Sequence, residues 1–108
     1  MKYVPFRTLV VYKTKEYVYD WVNDFFNLYN NAVKEVIEKS VGWDIILHDE
    51  SIISLRPSID YPFSGHRANR IYVDPQVDKK FVDEILYPLC INAQIIYDDN
   101  EQSQTQKT

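Results

Sequence analysis

The stretch Ser64-Gly65-His66-Arg67-Ala68-Asn69-Arg70 gathers positive charge in a chain that is otherwise acidic. It holds two of the four arginines and one of the two histidines, against a formal net charge of -4. Arg67 and Arg70 could both grip one phosphate or carboxylate, because a guanidinium presents paired N–H donors to two oxygens. Ser64 and Asn69 add hydroxyl and amide donors, and His66 adds a ring that exchanges its proton near neutral pH. The sequence thus predicts an anion-binding loop made of Ser64, His66, Arg67, Asn69 and Arg70. The simpler account pairs the arginines with Asp60, Asp74 or other surface carboxylates, contacts worth little when exposed.

A second cluster, Asp44, His48, Asp49 and Glu50, combines hard oxygen donors with one imidazole. Such a set could hold Mg²⁺ or Mn²⁺ for phosphodiester hydrolysis. Asp44 and His48 would share one face of a strand at a separation of about 13 Å, so another segment would have to close in on the ion. Trp21, Phe25 and Tyr29 recur at helical spacing and could stack bases. Core packing of an amphipathic helix accounts for them with fewer assumptions, since the same helix carries acids and asparagines where a nucleic-acid surface would carry lysine or arginine. Cys90, the single cysteine, lies between Leu89 and Ile91 and reads as a small buried hydrophobe. No Walker-type, dinucleotide, paired-cysteine, zinc-protease or nucleophile-elbow spacing occurs, and no cofactor is expected.

Composition narrows the classes further. A chain of 108 residues, 45 % hydrophobic and 15 % aromatic, can bury a core and has room for one domain. The acidic balance argues against sequence-blind coating of nucleic acid. A lone cysteine fits a reducing compartment, and no apolar run approaches the roughly 20 residues of a membrane span, so a cytoplasmic location without membrane contact is the expectation. Abundant Ile, Tyr, Asn and Lys beside three alanines and two glycines point to an AT-rich genome, as in many archaea, some bacteria and their viruses; in a viral case the location becomes the host cytoplasm.

The elements that must position these residues can be read in order. Tyr3 to Lys13 is β-branched and aromatic, most densely at Thr8–Tyr12, and predicts a strand. Its Leu9-Val10-Val11-Tyr12 run is similar to the opening strand of small CRISPR-associated and toxin-type nucleases, but Lys13 stands where those carry an acidic residue, and no family is assigned. Thr14 caps a helix with Glu16 in its first turn, and apolar pairs from Tyr17/Val18 to Val36/Ile37 extend that helix to a glycine stop at Gly42. Trp43–His48 and Ser51–Arg56 form a hairpin about Asp49-Glu50, followed by a loop from Pro57 to Asn69. Arg70–Val73 is a short strand, Asp74-Pro75 opens a second helix that Pro88 ends, and Ile91–Tyr97 is a last strand.

This order predicts one α+β domain over residues 1–97, a ferredoxin-like (split βαβ) antiparallel sheet of four or five strands with one long and one short helix on one face. Residues 98–108 contain no apolar side chain and read as a disordered polar tail. The functional expectation is a small intracellular interaction module, homodimeric, of viral or archaeal origin, with an anion-binding loop. Its alternative is a nucleic-acid-binding protein or metal-dependent nuclease using the basic loop and the acidic turn. A third reading, mimicry of nucleic acid to occupy the basic groove of a host protein, draws on the line of Glu16, Asp20 and Asp24 along the first helix.

Overall fold

Alternate residues of the first strand, β1 (Arg7–Tyr12), serve two separate cores: Leu9 and Val11 enter one, Val10 the other. A strand that is apolar on both sides must be covered on both sides. The computed structural model, which describes residues 6–59, 63, 67–90 and 95–97, shows how this is met. After β1 come helix α1 (Lys15–Tyr29), then β2 (Val33–Glu38), β3 (Trp43–Leu47), β4 (Ile52–Pro57) and β5 (Arg70–Val73). A short helical passage follows, one α-turn labelled α2 (Lys79–Phe81) continued in π form through Val82–Leu86 and in 3-10 form through Tyr87–Leu89, and β6 (Ile95–Tyr97) comes last.

The six strands make one mixed α+β sheet in the order β2-β3-β4-β1-β5-β6. The β2–β3 and β3–β4 pairs are antiparallel, whereas β4, β1, β5 and β6 run parallel to their neighbours. The sheet is therefore larger than the expected four or five strands, and it is not wholly antiparallel. The helices also take opposite faces. Val18 of α1 packs with Val10, Ile45, Ile53 and Leu55, while Val82 and Leu86 pack with Leu9, Val11, Ile71 and Val73. The physical reason is the two-sided apolar run of β1, which a single helical layer could cover on one side only.

The largest departure from expectation lies between Asn30 and Gly42. The first helix starts as predicted: Thr14 is its cap, accepting from the Tyr17 N–H at 3.2 Å, with Glu16 in the first turn. It stops at Tyr29, passes through a 3-10 turn at Asn30–Ala32, and residues that fit a helical stripe become edge strand β2. Two successive asparagines favour local side-chain hydrogen bonds over helix continuation. Val33, Val36 and Ile37 are β-branched and serve a strand at least as well as a helix. Gly42 does adopt the left-handed conformation, at φ 88°, but in the β2–β3 turn, where a Cβ would collide with the Leu55 carbonyl oxygen.

The β3–β4 hairpin matches its prediction. Its turn is closed by Asp49, whose Oδ1 accepts from the Ser51 N–H at 2.8 Å, and Glu50 takes φ 74°. Asp74 does not open the second helix, which instead begins after Asp78, capped through a carboxylate that accepts from the Lys80 N–H. The predicted tail at 98–108 and the Ile91 to Gln94 part of the predicted last strand lie outside the described residues. Among the described residues no helix is long and apolar enough to cross a membrane.

Candidate functional site

In parallel sheets a crevice opens outside the carboxyl ends of adjacent strands whose following connections leave in opposite directions. Here those strands are β1 and β5, and Asp74 fills the position. Its carboxylate is 1 % exposed. Oδ2 accepts from the Lys13 N–H at 2.8 Å, the Thr14 N–H at 3.0 Å and the Thr14 hydroxyl at 3.3 Å, while Oδ1 accepts from the Gln76 N–H at 2.8 Å. Asp74 thus satisfies backbone donors at the β1–α1 turn and lends negative charge to the start of α1. It was expected to cap a helix and it does support one, α1, 60 residues away in sequence from Thr14.

The opposite end of the sheet holds a pocket of about 410 Å³ between the second half of α1 and the amino ends of β1, β4 and β5. Trp21, Phe25 and Tyr29 come from α1, Tyr72 and Arg70 from β5, with Phe6 and Thr8 beside them. The rings are ordered against one another. Trp21 and Phe25 stack at 5.4 Å with planes 8° apart, Trp21 meets Tyr72 edge-on at 5.5 Å, and Phe25 meets Tyr29 at 5.3 Å. Arg70 places its guanidinium carbon 5.3 Å from the Phe6 ring centroid, a cation–π geometry. Asp49 and Ser51 of the hairpin turn complete the rim. Hydrogen bonds from Ser51 hold the Asp49 carboxyl below its usual range, so it is charged at neutral pH.

The predicted anion-binding residues are therefore separated. Arg70 is half-buried on the α1 side of the sheet, while Arg67 is exposed. Asn69 is occupied in structure: its Oδ1 accepts from the Arg7 N–H at 2.8 Å, and its own N–H donates to the Arg7 carbonyl at 2.8 Å. Ser64 and His66 lie outside the described residues. The metal set is not brought together. Asp44 sits on β3 against the buried guanidinium of Arg56 at 2.7 Å and Lys39 at 3.7 Å, whereas His48, Asp49 and Glu50 are at the β3–β4 turn. Among the described residues no three His, Cys, Asp or Glu side chains converge to hold a metal ion. Cys90 is buried, its thiol directed at the Asn69 carbonyl at 3.7 Å.

Sequence reasoning found Arg70 and the ring line separately and missed their convergence. On sequence the rings read as core packing, because their helix carries acids and asparagines in place of lysine or arginine; in the fold the basic residue arrives from β5. The alternation of Arg70-Ile71-Tyr72-Val73 was the available signal, since it puts Arg70 and Tyr72 on one face and the core residues on the other. No family model matches the chain, and comparisons with curated proteins and with solved structures likewise gave no match.

Proposed function

We propose that this protein is a non-enzymatic binding module that takes a planar ring carrying an anionic group, phosphate or carboxylate, into the pocket beneath α1. The observation that supports the reading is the meeting of Arg70 with Trp21, Phe25 and Tyr72 in one concave, mostly apolar lining. Pockets of a few hundred Å³ with that make-up and a small number of placed polar groups are the usual form of small-ligand sites. The ring would stack on the indole and phenyl faces, and the anion would accept from the Arg70 guanidinium, whose five donors allow contact with a ligand and with Phe6 together. Glu16, Asp20 and Asp24 keep the outer side of α1 acidic, which favours a small ligand over a long polyanion.

Calorimetric titration with nucleoside monophosphates, the matching neutral nucleosides, and inorganic phosphate tests the reading. The expected result is binding of the monophosphates, weaker by about ten- to a hundredfold in Arg70→Met, as loss of a charge-assisted hydrogen bond implies. Nucleosides and phosphate alone should bind at least tenfold more weakly than the joined molecule. Equal binding of wild type and Arg70→Met, or no binding of an aromatic anion at millimolar concentration, overturns it.

A further inference from the structure

The ring pocket carries opposite charges on its two walls. Arg70 stands on β5 and Asp49 at the β3–β4 turn, and both line the same cavity of about 410 Å³. The sheet sets their placement. Arg70 pairs with Thr8 and Thr8 pairs with Ile53, so two strand spacings, about 10 Å, lie between the β5 and β4 walls. Asp49 lies further out, beyond the amino end of β4. The line of rings runs the same way. Trp21 meets Tyr72 of β5 at one end, and at the other Ala32, just past Tyr29, accepts from the His48 N–H at 3.0 Å. Trp21 to Tyr29 covers about 12 Å of helix. A ligand laid along the rings therefore meets a cation toward one end and a carboxylate toward the other.

The turn holds the Asp49 carboxylate in place. The Leu47 N–H donates to the Ser51 carbonyl at 2.9 Å and the Glu50 N–H to the Leu47 carbonyl at 2.9 Å, closing a turn in which Glu50 takes φ 74°. Within it Oδ1 of Asp49 accepts from the Ser51 N–H at 2.8 Å, and the Ser51 side chain bonds to the same carboxyl group. An ionised carboxylate only accepts, and it has lone pairs for about four hydrogen bonds, so Asp49 can accept from a ligand as well as from Ser51. The carboxyl end of α1 lies at this end of the pocket, and its dipole adds negative potential there.

These charges orient a ligand and choose its far end. The anion is drawn to Arg70 and repelled by Asp49. Whatever then faces Asp49 has to donate, because a carbonyl or bare ring nitrogen would set acceptor against acceptor, whereas an amino group supplies an N–H. An α-amino acid carries its ammonium and carboxylate on one carbon and does not span the two walls. In an aminopurine nucleotide the base itself separates the amine from the phosphate, and the base is the part that stacks on Trp21 and Phe25.

We propose that Asp49 selects rings bearing an amino group remote from their anion, which makes aminopurine nucleotides the ligand class, with phosphate at Arg70 and amine at Asp49. This rests on the pocket being the site of an aromatic anion. Calorimetric titration with adenosine monophosphate and purine riboside monophosphate, which differ only in the amine, tests it. Wild type is expected to bind the adenosine compound about tenfold more tightly, as one charge-assisted hydrogen bond implies. In Asp49→Asn, whose amide oxygen can still close the turn on the Ser51 N–H, the ratio is expected to fall to about threefold or less. Its affinity for purine riboside monophosphate should be unchanged or slightly higher, which shows the pocket intact. Equal binding of the two nucleotides by wild type, with both weakened by Arg70→Met, overturns the role of Asp49 and leaves the pocket reading standing. A tenfold ratio that persists in Asp49→Asn overturns it as well, as does equal loss of both nucleotides in that variant, which would make Asp49 a residue of the turn alone. No binding of either nucleotide by wild type overturns both readings.

Discussion

Asp74 shows how one side chain can serve an element far from it in sequence. A buried carboxylate is costly unless its oxygens are hydrogen-bonded, and here three backbone N–H groups and a hydroxyl meet it. Removing it strands the Lys13 and Thr14 donors at the start of α1. Asp74→Ala is therefore expected to lower unfolding free energy by roughly 3 kcal/mol, and Asp74→Asn by about half of that, since the amide keeps one acceptor but turns N–H groups toward N–H groups. Chemical denaturation of the two variants checks this; a loss below about 1 kcal/mol for Asp74→Ala contradicts it. Sequence pattern identified Asp74 as a cap because Asp-Pro commonly opens a helix. It could not identify the recipient, because the β1–α1 turn is brought beside Asp74 by parallel pairing of β1 with β5, a contact that leaves no local signature.

At the scale of elements, local chemistry told most where it was strongest. Thr14, the β-branched and aromatic run of β1 and the hairpin about Asp49-Glu50 were all legible, because caps, strands and turns each depend on a few neighbouring residues. The segment after Tyr29 was not, since Ala32, Val33, Val36 and Ile37 satisfy a helical period and a strand equally, and the deciding factor is the open edge of β3. Gly42 carried a true signal for positive φ that was attached to the wrong element. Its φ of 88° and the closeness of the Leu55 carbonyl make it the one residue of the β2–β3 turn that admits no side chain without backbone movement. Gly42→Ala is expected to destabilise by roughly 3 kcal/mol, well above the usual helix or turn glycine substitution. Thermal unfolding reads the change, and an unaltered midpoint contradicts the turn geometry.

Across the whole molecule, β1 is the member that decides the architecture. Its two-sided apolar run calls for α1 on one face and the Val82–Leu86 passage on the other, and that division sends β5 to the side of β1 away from β4. Arg70 and Tyr72, on the α1 face of β5, are thereby delivered to the ring line of α1, which is how the pocket comes to combine cation and rings. The candidate site was legible as parts, Arg70 in one place and Trp21, Phe25 and Tyr29 in another; the assembly follows from strand order. The two tryptophans report on the two flanks of α1 separately, Trp21 in the ring pocket and Trp43 in the groove toward β2. The central claim is tested most directly by following their indole N–H signals by NMR as a nucleoside monophosphate is added. Binding in the pocket shifts the Trp21 signal in a saturable manner and leaves Trp43 in place; a Trp43 shift without Trp21, or no shift of either, contradicts it.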